Sequence, residues 1–443
     1  MSTPTDPKRM FAIEVVKRLQ DASFQALWAG GCVRDLLLQR DAQDYDVATN
    51  ATPDEVVQLF GRRRTQTVGA SFGVILVMGP RKAGPVEVAT FRSDGEYRDG
   101  RHPEHVEFTS AEHDAQRRDF TINGMFFDPL TEQVTDFVGG QRDLDNKVVR
   151  AIGIPGDRMR EDKLRMLRAV RFAATLEFEL EQLTFDAIRD MATELREVSA
   201  ERVSQELQKM LLSPNRARAI QLCRELGLID HMLPGVFPAA DADQDQLWET
   251  TLSMLERLEN PTFETSMACL LHQVDQPKQV AAANKKPSSR KRSRVTELCH
   301  ELRLSNQQTA TIDWLVGNQQ RVLTGPDLPQ AALFRLLSEP LIDPLLDLVD
   351  VGCRTRQEST KSVEYCRDIL RETPPEVRNP AALIGGDDLI KMGLRPGKHF
   401  KDMLDKIRDA QLGGHISTPT EALDLARQLQ PQSSPKSPSP PGS

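Results

Sequence analysis

No run of about 18 apolar residues occurs in the chain, so a membrane-spanning helix is excluded. The six cysteines, Cys32, Cys223, Cys269, Cys299, Cys353 and Cys366, form no C-x-x-C pair, so neither a zinc site nor a dithiol redox motif is indicated. Their scatter fits reduced thiols in cytoplasm. No excess of positive charge is present: 57 Lys and Arg stand against 65 Asp and Glu, a net charge of −8. Any nucleic-acid contact must therefore use a local basic surface. The first residues, Met1 to Arg9, are polar and lead into an amphipathic run, which argues against a secretory signal. No internal repeat is evident.

What is present suffices for large cores. Of 443 residues, 39% are hydrophobic and 28% charged, and at ~150 residues per domain roughly three units are expected. The first part reads as mixed α/β. Arg9–Leu19 has helical periodicity, Ala26–Ala29 is a short apolar run ending in Gly30-Gly31, and Val33–Leu38 suggests a short helix. Thr52-Pro53-Asp54-Glu55 is a helix start, with a threonine cap and proline at the first position. Val68–Met78 and Val86–Phe91 are β-rich runs around the turn-forming segment 79–85, and Thr121–Phe127 with Val134–Val138 suggests a second pair. From Asp157 onward helical patterns dominate: Arg158–Thr175, Thr184–Glu194, Ser204–Leu212 and Arg216–Leu226. The Pro- and Ser-rich end, Pro431–Ser443, reads as disordered.

The chemistry concentrates in Leu27–Thr49. An apolar run meets Gly30-Gly31, Arg34 follows, and Asp44-Tyr45-Asp46 comes ten residues later. In a strand, side chains two apart share a face, so Asp44 and Asp46 would present paired carboxylates. Such a pair repels itself unless a cation sits between, and Mg²⁺ takes carboxylate oxygens together with substrate phosphates. Glycines let the backbone approach phosphate, and an arginine adds a fork of donors. An isolated D-x-D is usually a solvated turn. The ordered combination is what transfer of a nucleotidyl group from a triphosphate requires.

The residues in this order resemble the class II tRNA nucleotidyltransferases and bacterial poly(A) polymerases, of the DNA polymerase β-like superfamily. Val86–Arg92 resembles the strand that supplies a third acid, Glu87. Arg117–Met125 resembles the family's RRDFTIN segment, Asp143–Gly153 its hinge, and Glu161–Phe172 its E-D-x-x-R-x-x-R-x-x-R-F helix. The resemblance is close from about Leu27 to Leu212 and looser towards residue 425. It implies an α+β fold: a mixed α/β catalytic head with a small β-sheet (1–155), followed by an extended all-α neck (156–238), a body (239–380), a tail region (381–430) and a disordered end (431–443).

The resemblance also implies an enzyme that adds C and A from CTP and ATP to the 3′ end of tRNA, without a template strand and with Mg²⁺. Asp44 and Asp46 would be catalytic and, with Glu87, metal-binding. Gly30, Gly31, Arg34, Arg118, Asp119, Asn123, Asp162, Arg165, Arg168 and Arg171 would hold the nucleotide. Around a helix at ~100° per residue, Asp162, Arg165, Arg168 and Arg171 fan across one half and Leu164, Met166, Leu167, Val170, Ala173 and Ala174 across the other. An arbitrary arginine-rich helix is a solvated surface. Here the family implies that Asp162 accepts from, and Arg165 donates to, the Watson–Crick edge of the incoming base. That pairing suits C and A, which both carry an amino group there. Phe172 falls on the polar half and could pack on a neighbour or stack on a base.

The segment 93–106, with His102 and His105, reads as a loop that moves as specificity switches from C to A. In relatives that add only CC this region is shortened, so its presence leans towards A addition. Leu247–Thr251 and Leu270–Asp275 stand where some relatives carry a metal-dependent HD phosphohydrolase site. Thr250 and Gln273 replace two ligands, leaving His272 as a core histidine in a degenerate HD-like region. The basic run 285–294 is either a solvated loop or a phosphate-contacting patch. Gly385–Asp388 reads as a helix start with acids at its positive end.

Four readings follow: CCA addition; a poly(A) polymerase with the same head; a non-catalytic RNA-binding relative; and a phosphohydrolase, opposed by its missing ligands. Poly(A) polymerases commonly carry G-R-R-F-R before the second strand. Gly61-Arg62-Arg63-Arg64-Thr65 is only partly like it, and residues 68–74 look more like the tRNA enzymes. No obligate protein partner is expected.

Overall fold

A computed structural model describes residues 6–67, 73–94, 106–237, 242–274 and 292–430. The loop segment 95–105 with its two histidines, most of the basic run and the Pro/Ser-rich end lie outside the described residues. The chain divides into two compact units, residues 1–256 with 297–305, and residues 257–296 with 306–443.

The first unit opens on helix α1 (Pro7–Asp21). Asp6 caps it by accepting from the Lys8 N–H, Pro7 sets the first turn, and Phe11, Ala12, Val15, Val16 and Leu19 form its buried face. Among the described residues, nine short strands lie between residues 26 and 135: β1 (Ala26–Ala29), β2 (Asp46–Thr49), β3 (Thr65–Thr67), β4 (Val74–Met78), β5 (Pro85–Thr90), β6 (Arg92–Asp94), β7 (Val106–Phe108), β8 (Phe126–Asp128) and β9 (Gln133–Thr135). Seven of them build one sheet in the order β3-β4-β5-β2-β1-β8-β9, and β6 pairs with β7 separately. β1 is buried on both faces, as befits a central strand. Helices α2 (Gly31–Leu37) and α3 (Pro53–Phe60) follow β1 and β2. α3 carries a full capping box between Thr52 and Glu55.

Two registers position the chemistry. β1 pairs antiparallel with β2, setting Ala29 opposite Asp46. β2 runs parallel to β5, setting Asp46 opposite Glu87. The β4–β5 pair expected around segment 79–85 forms as an antiparallel hairpin. The strand expected over Thr121–Phe127 is shorter. Thr121–Asn123 is a 3₁₀ turn and only Phe126 onward enters the sheet. The turn is closed by the Gly124 N–H donating to the Thr121 carbonyl and by the Thr121 hydroxyl donating to buried Asp143.

Beyond the sheet come α4 (Ala111–Gln116), α5 (Gly140–Asp145), α6 (Pro155–Glu161), α7 (Arg165–Leu176), α8 (Gln182–Asp190), α9 (Ala200–Leu211) and α10 (Arg216–Glu225). α7 packs on α9 and α10, and Met166, Leu167, Val170, Ala173 and Ala174 of the apolar half read from the sequence are buried. The single helix expected over Arg158–Thr175 is broken. Asp162 is extended, at φ −147° and ψ 103°, and its carboxylate accepts from the Leu164 N–H two residues on. This local bond competes with the helical ladder and ends α6 one turn before α7 begins. Residues 160–163 are all charged, so the apolar spacing lapses at the join, and the single expected helix bridged that lapse.

The second unit is helical throughout its described part. His272 lies in its core, 1% exposed, with Nδ1 2.8 Å from the Cys269 carbonyl. Burial pulls its pKa down to about 4. It is a neutral core histidine, as the sequence suggested. Residues 384–429 close around Leu389, Met403, Ile407, Ala422 and Ala426, and the expected helix start appears at Gly386–Lys391 with Asp387 and Asp388 in its first turn. All six cysteines are buried and none is in a disulfide. Among the described residues, no helix is long and apolar enough to cross a membrane.

Candidate active site

The Ala29 end of β1 and the Asp46 end of β2 open onto a cleft of about 470 Å³ within the first unit. Gly30, Gly31, Arg34, Asp46, Arg117, Arg118, Asp119, Asn123, Asp162, Arg165, Arg168 and Phe172 line it. Ten residues anticipated from the sequence thus meet here: Gly30, Gly31, Arg34, Asp46, Arg118, Asp119, Asn123, Asp162, Arg165 and Arg168. Asp44, Glu87 and Arg171 do not line it.

Gly30 makes the turn from β1 into α2 at φ +75° and ψ −131°, backbone that an L side chain adopts only with strain. A Cβ there would also stand 3.2 Å from Arg118 Nη1. Gly30→Ala is therefore expected to cost of order 1–3 kcal/mol in strain. It should lower the melting temperature by a few degrees and weaken triphosphate binding by displacing Arg118. Thermal unfolding and calorimetric CTP titration check both, and an unchanged affinity would separate Arg118 from the nucleotide.

Asp46 is held by its register between Ala29 and Glu87. Solvent reaches it from the cleft, yet the surrounding protein still desolvates the carboxyl. That burial, followed by repulsion from Glu87 and Asp44 and partly offset by Arg118, raises its pKa to about 6. Asp44 was expected to share the strand. It precedes β2 instead, with its side chain 84% exposed and 3.3 Å from Lys8 Nζ. Among the described residues, no three His, Cys, Asp or Glu side chains gather closely enough to cage a metal ion alone. Two carboxylates beside an open cleft still fit Mg²⁺, which commonly takes one or two carboxylates and completes its shell with water and phosphate oxygens. Cys32, just past the turn, is no nucleophile, since burial pushes its thiol up to about 12.

Five arginines line the cleft, and buried acids orient several of them. Asp114, 1% exposed, receives Arg117 on Oδ1 and Arg118 on Oδ2, at 2.6 and 2.9 Å. Burial alone would raise its pKa, but the two guanidinium charges hold it below the usual carboxylate range. Asp119 accepts from Arg168 Nε and Nη2 at 2.8 and 2.5 Å and from Asn123. Burial opposes its ionisation, yet Arg168 and Asn123 bring its pKa down to about 2. Asp119 therefore acts by fixing Arg168 and Asn123. Asn123 in turn accepts from Arg34 Nη1 at 2.8 Å, while Arg34 Nε and Nη2 donate to Asp35.

The joint between α6 and α7 supplies the far wall. Arg165 Nη1 donates to Glu161 at 2.5 Å and to the Arg158 carbonyl at 2.9 Å. Arg202, on α9, grips Asp162 with Nη1 to Oδ1 at 3.1 Å and Nη2 to Oδ2 at 2.7 Å. Arg171 departs from expectation. Its Nε donates to buried Glu206 at 2.6 Å, so it ties α7 to α9. Phe172 is buried edge-on against Phe120, with Arg34, Arg168 and Arg171 over its face at 5.2, 5.3 and 4.1 Å. It is a platform for guanidinium groups.

Sequence reasoning passed over Asp114, Arg202 and Glu206. Asp114, on α4, stands three and four residues before Arg117 and Arg118 at the end of that helix, a spacing that could have flagged it. Arg202 and Glu206 lie 40 and 35 residues from their partners and carried no comparable signal.

Comparison with known proteins agrees with this layout. Residues 26–150 match the family described as poly A polymerase head domain. Residues 177–239 match the one described as a probable RNA and SrmB-binding site of polymerase A. The chain is 31% identical over 421 residues to a CCA-adding enzyme of Lactobacillus helveticus, covering 93% of this chain and 95% of that enzyme. It is 30% identical over 417 residues to a CCA-adding enzyme of Streptococcus agalactiae, covering 93% and 94%. The crystal structure of the Bacillus stearothermophilus CCA-adding enzyme in complex with CTP superposes with a TM-score of 0.71 at 27% identity, covering 96% of this chain and 98% of that one.

Proposed function

The chain belongs to the family of CCA-adding enzymes, whose head domain is shared with poly(A) polymerases, and from that premise we propose how its residues carry the reaction. It is a nucleotidyltransferase that adds C and A from CTP and ATP to the 3′ end of tRNA. The observation that carries the reading is one cleft joining Asp46, the Gly30 turn, Asp162 and five arginines, Arg165 among them.

In this reading the head is residues 1–155, the neck 156–238, the body 239–380 and the tail region 381–430, with a cytoplasmic location resting on the six buried thiols. Gly30 and Gly31 leave the cleft wall bare of side chains, so triphosphate oxygens can approach the backbone. Arg34 and Arg118 supply forked donors to those oxygens. Asp162 and Arg165 face the base and take the place of a template strand. Asp44 and Asp46 hold a divalent ion such as Mg²⁺, with Glu87 behind Asp46. The surface pair of Asp44 with Lys8 is worth under ~1 kcal/mol and gives way readily. When bound, such an ion lowers the pKa of the attacking 3′-hydroxyl and offsets charge on the leaving pyrophosphate. The 3′-oxygen forms its bond to the α-phosphorus as the bond to pyrophosphate breaks. Glu87 does not touch the substrate in this reading. It keeps Asp46 hard to ionise until a cation arrives.

The pH dependence follows in sign. A metal binds ionised Asp46, which is protonated below about 6. Apparent Mg²⁺ or Mn²⁺ affinity should therefore fall nearly tenfold per pH unit below 6 and level off above 7. Titrations between pH 5 and 8 with a non-hydrolysable CTP analogue measure this, and a flat profile would remove Asp46 from the metal site.

The decisive experiment is extension of tRNA ending at the discriminator base, at C or at CC, with CTP, ATP or both. Addition of CCA supports the reading. A product stopping at CC, or a single A added only to CC-ended tRNA, marks a narrower specificity. Long A tails on any RNA favour the polymerase.

A further inference from the structure

Between Glu55 and Glu87 the chain contains no Asp or Glu, in a protein whose acids outnumber its bases. The same stretch carries Arg62, Arg63, Arg64, Arg81 and Lys82, all exposed. None of the five is paired with a carboxylate among the described residues.

The sheet gathers them at the catalytic end. β2 and β5 run parallel with Asp46 beside Glu87, so the loop entering β5 lies at the Asp46 end. β4 is antiparallel to β5, with Met78 opposite Pro85, and its exit lies at that end too. β3 is antiparallel to β4, with Thr65 opposite Val77, so the residues entering β3 join them. The Met78 N–H donates to the Arg64 carbonyl and couples the two loops directly. From Asp46 across β5 and β4 to β3 is three strand spacings, roughly 15 Å.

Both loops are ordered turns. The Arg64 N–H donates to the Gly61 carbonyl, the Ala83 N–H to the Pro80 carbonyl and the Gly79 N–H to the Gly84 carbonyl. The hairpin turn is also packed on α1, where a Cβ on Gly79 would stand 2.6 Å from the Phe11 ring. Cations on rigid turns lose little backbone entropy when they meet a ligand.

We propose that Arg62, Arg63, Arg64, Arg81 and Lys82 form a basic rim that grips backbone phosphates of the RNA upstream of the 3′-hydroxyl presented to Asp46. The inference rests on the nucleotidyltransferase reading, which supplies an RNA end at that place. A polyanion fits the rim because its charges repeat along a strand, and several guanidinium groups can engage successive phosphates without reading sequence. The neck segment 177–239, matched to a probable RNA-binding family, contributes none of these residues.

The test uses Arg62→Glu/Arg63→Glu and Arg81→Glu/Lys82→Glu in the full chain, with glutamine versions of both pairs. Expected are a rise of ~10–100-fold in KM for tRNA, an unchanged KM for CTP, and kcat at saturating tRNA near wild type. The slope of log affinity against log salt should shrink by about 0.7–0.9 for each phosphate contact removed. The glutamine variants should show the smaller slope with a milder KM change, and unaltered thermal unfolding excludes a folding defect. Equal KM and equal salt slope in all variants would overturn the proposal and leave the rim to an acidic protein surface. Filter binding of tRNA to wild type and variants reads the rim without any extension, so failure of wild type to add nucleotides would sink the functional reading while the rim is still judged.

Discussion

Asp46→Asn is expected to abolish nucleotide addition while leaving the fold intact or slightly stabilised. The substitution keeps shape and removes charge, so binding of CTP through Arg34 and Arg118 should persist. Losing a metal-held carboxylate removes several kcal/mol of transition-state stabilisation, a fall of at least ~10³ in rate. The stability side runs the opposite way. The Asp46 pKa is raised from 3.8 to about 6 by burial and by Glu87 and Asp44, so ionisation opposes folding. The wild-type protein should therefore gain stability as pH falls from 7 towards 4, and lose that gain as pH rises through about 6. The asparagine variant should lack this pH dependence and melt at the same or higher temperature at pH 7.5 without metal. Glu87→Gln should cost far less activity, since Glu87 is off the cleft, but should move the lower pH limit of metal binding downward by relieving Asp46. Single-turnover extension paired with metal-free thermal melts makes the comparison. Incorporation by Asp46→Asn above a tenth of wild type would sink the assignment.

That opposition of stability and function marks what could be read in advance and what could not. The Gly30-Gly31 turn, the Asp46 strand and the β4–β5 hairpin depend on local pattern: an apolar run ending in glycine, alternation and a turn-rich connection. Each was legible because a few consecutive residues decide it. The hydrogen-bond pairs that hold the cleft in shape are different in kind. Asp119 meets Arg168 across 49 residues, Asp162 meets Arg202 across 40 and Arg171 meets Glu206 across 35. Their partners are chosen by the packing of α7 on α9 and on the 117–123 segment. A helical projection placed Arg171 with Arg165 and Arg168 on one polar half, yet only the latter two reach the cleft, because a half-circle of helix faces more than one neighbour. Asp44 shows the limit of two-residue alternation. The strand starts at Asp46, so nothing in the pleat aligns the two carboxylates.

Arg202 gives the second large effect, and it tests the base-reading role of Asp162. Asp162 sits where α6 has ended and α7 has not begun, so its backbone is not held by a helical ladder. Its carboxylate is instead positioned by the Leu164 N–H and the two Arg202 contacts at 3.1 and 2.7 Å. Oδ1 already accepts from both Leu164 and Arg202, whereas Oδ2 accepts only from Arg202 and keeps a lone pair for an exocyclic amino group. Asp162→Ala should erase the preference for CTP and ATP over UTP and GTP, at a cost of about 1–3 kcal/mol for the lost base contact, or roughly 5–150-fold in relative kcat/KM. Arg202→Ala should reach much of that loss without touching the nucleotide, because an ungripped Asp162 can rotate away from the base. Arg202→Lys supplies the charge but not the fork and should recover only part of the discrimination. Arg202 is thus a positioning residue, and the distinguishing readout is the ratio of CTP to UTP incorporation rather than total activity. A purely structural Arg202 would depress all four nucleotides alike and lower the melting temperature. A falling CTP to UTP ratio at unchanged melting temperature, repaired in part by lysine, is what orientation of the template carboxylate demands, since only the base-facing bond distinguishes those two nucleotides.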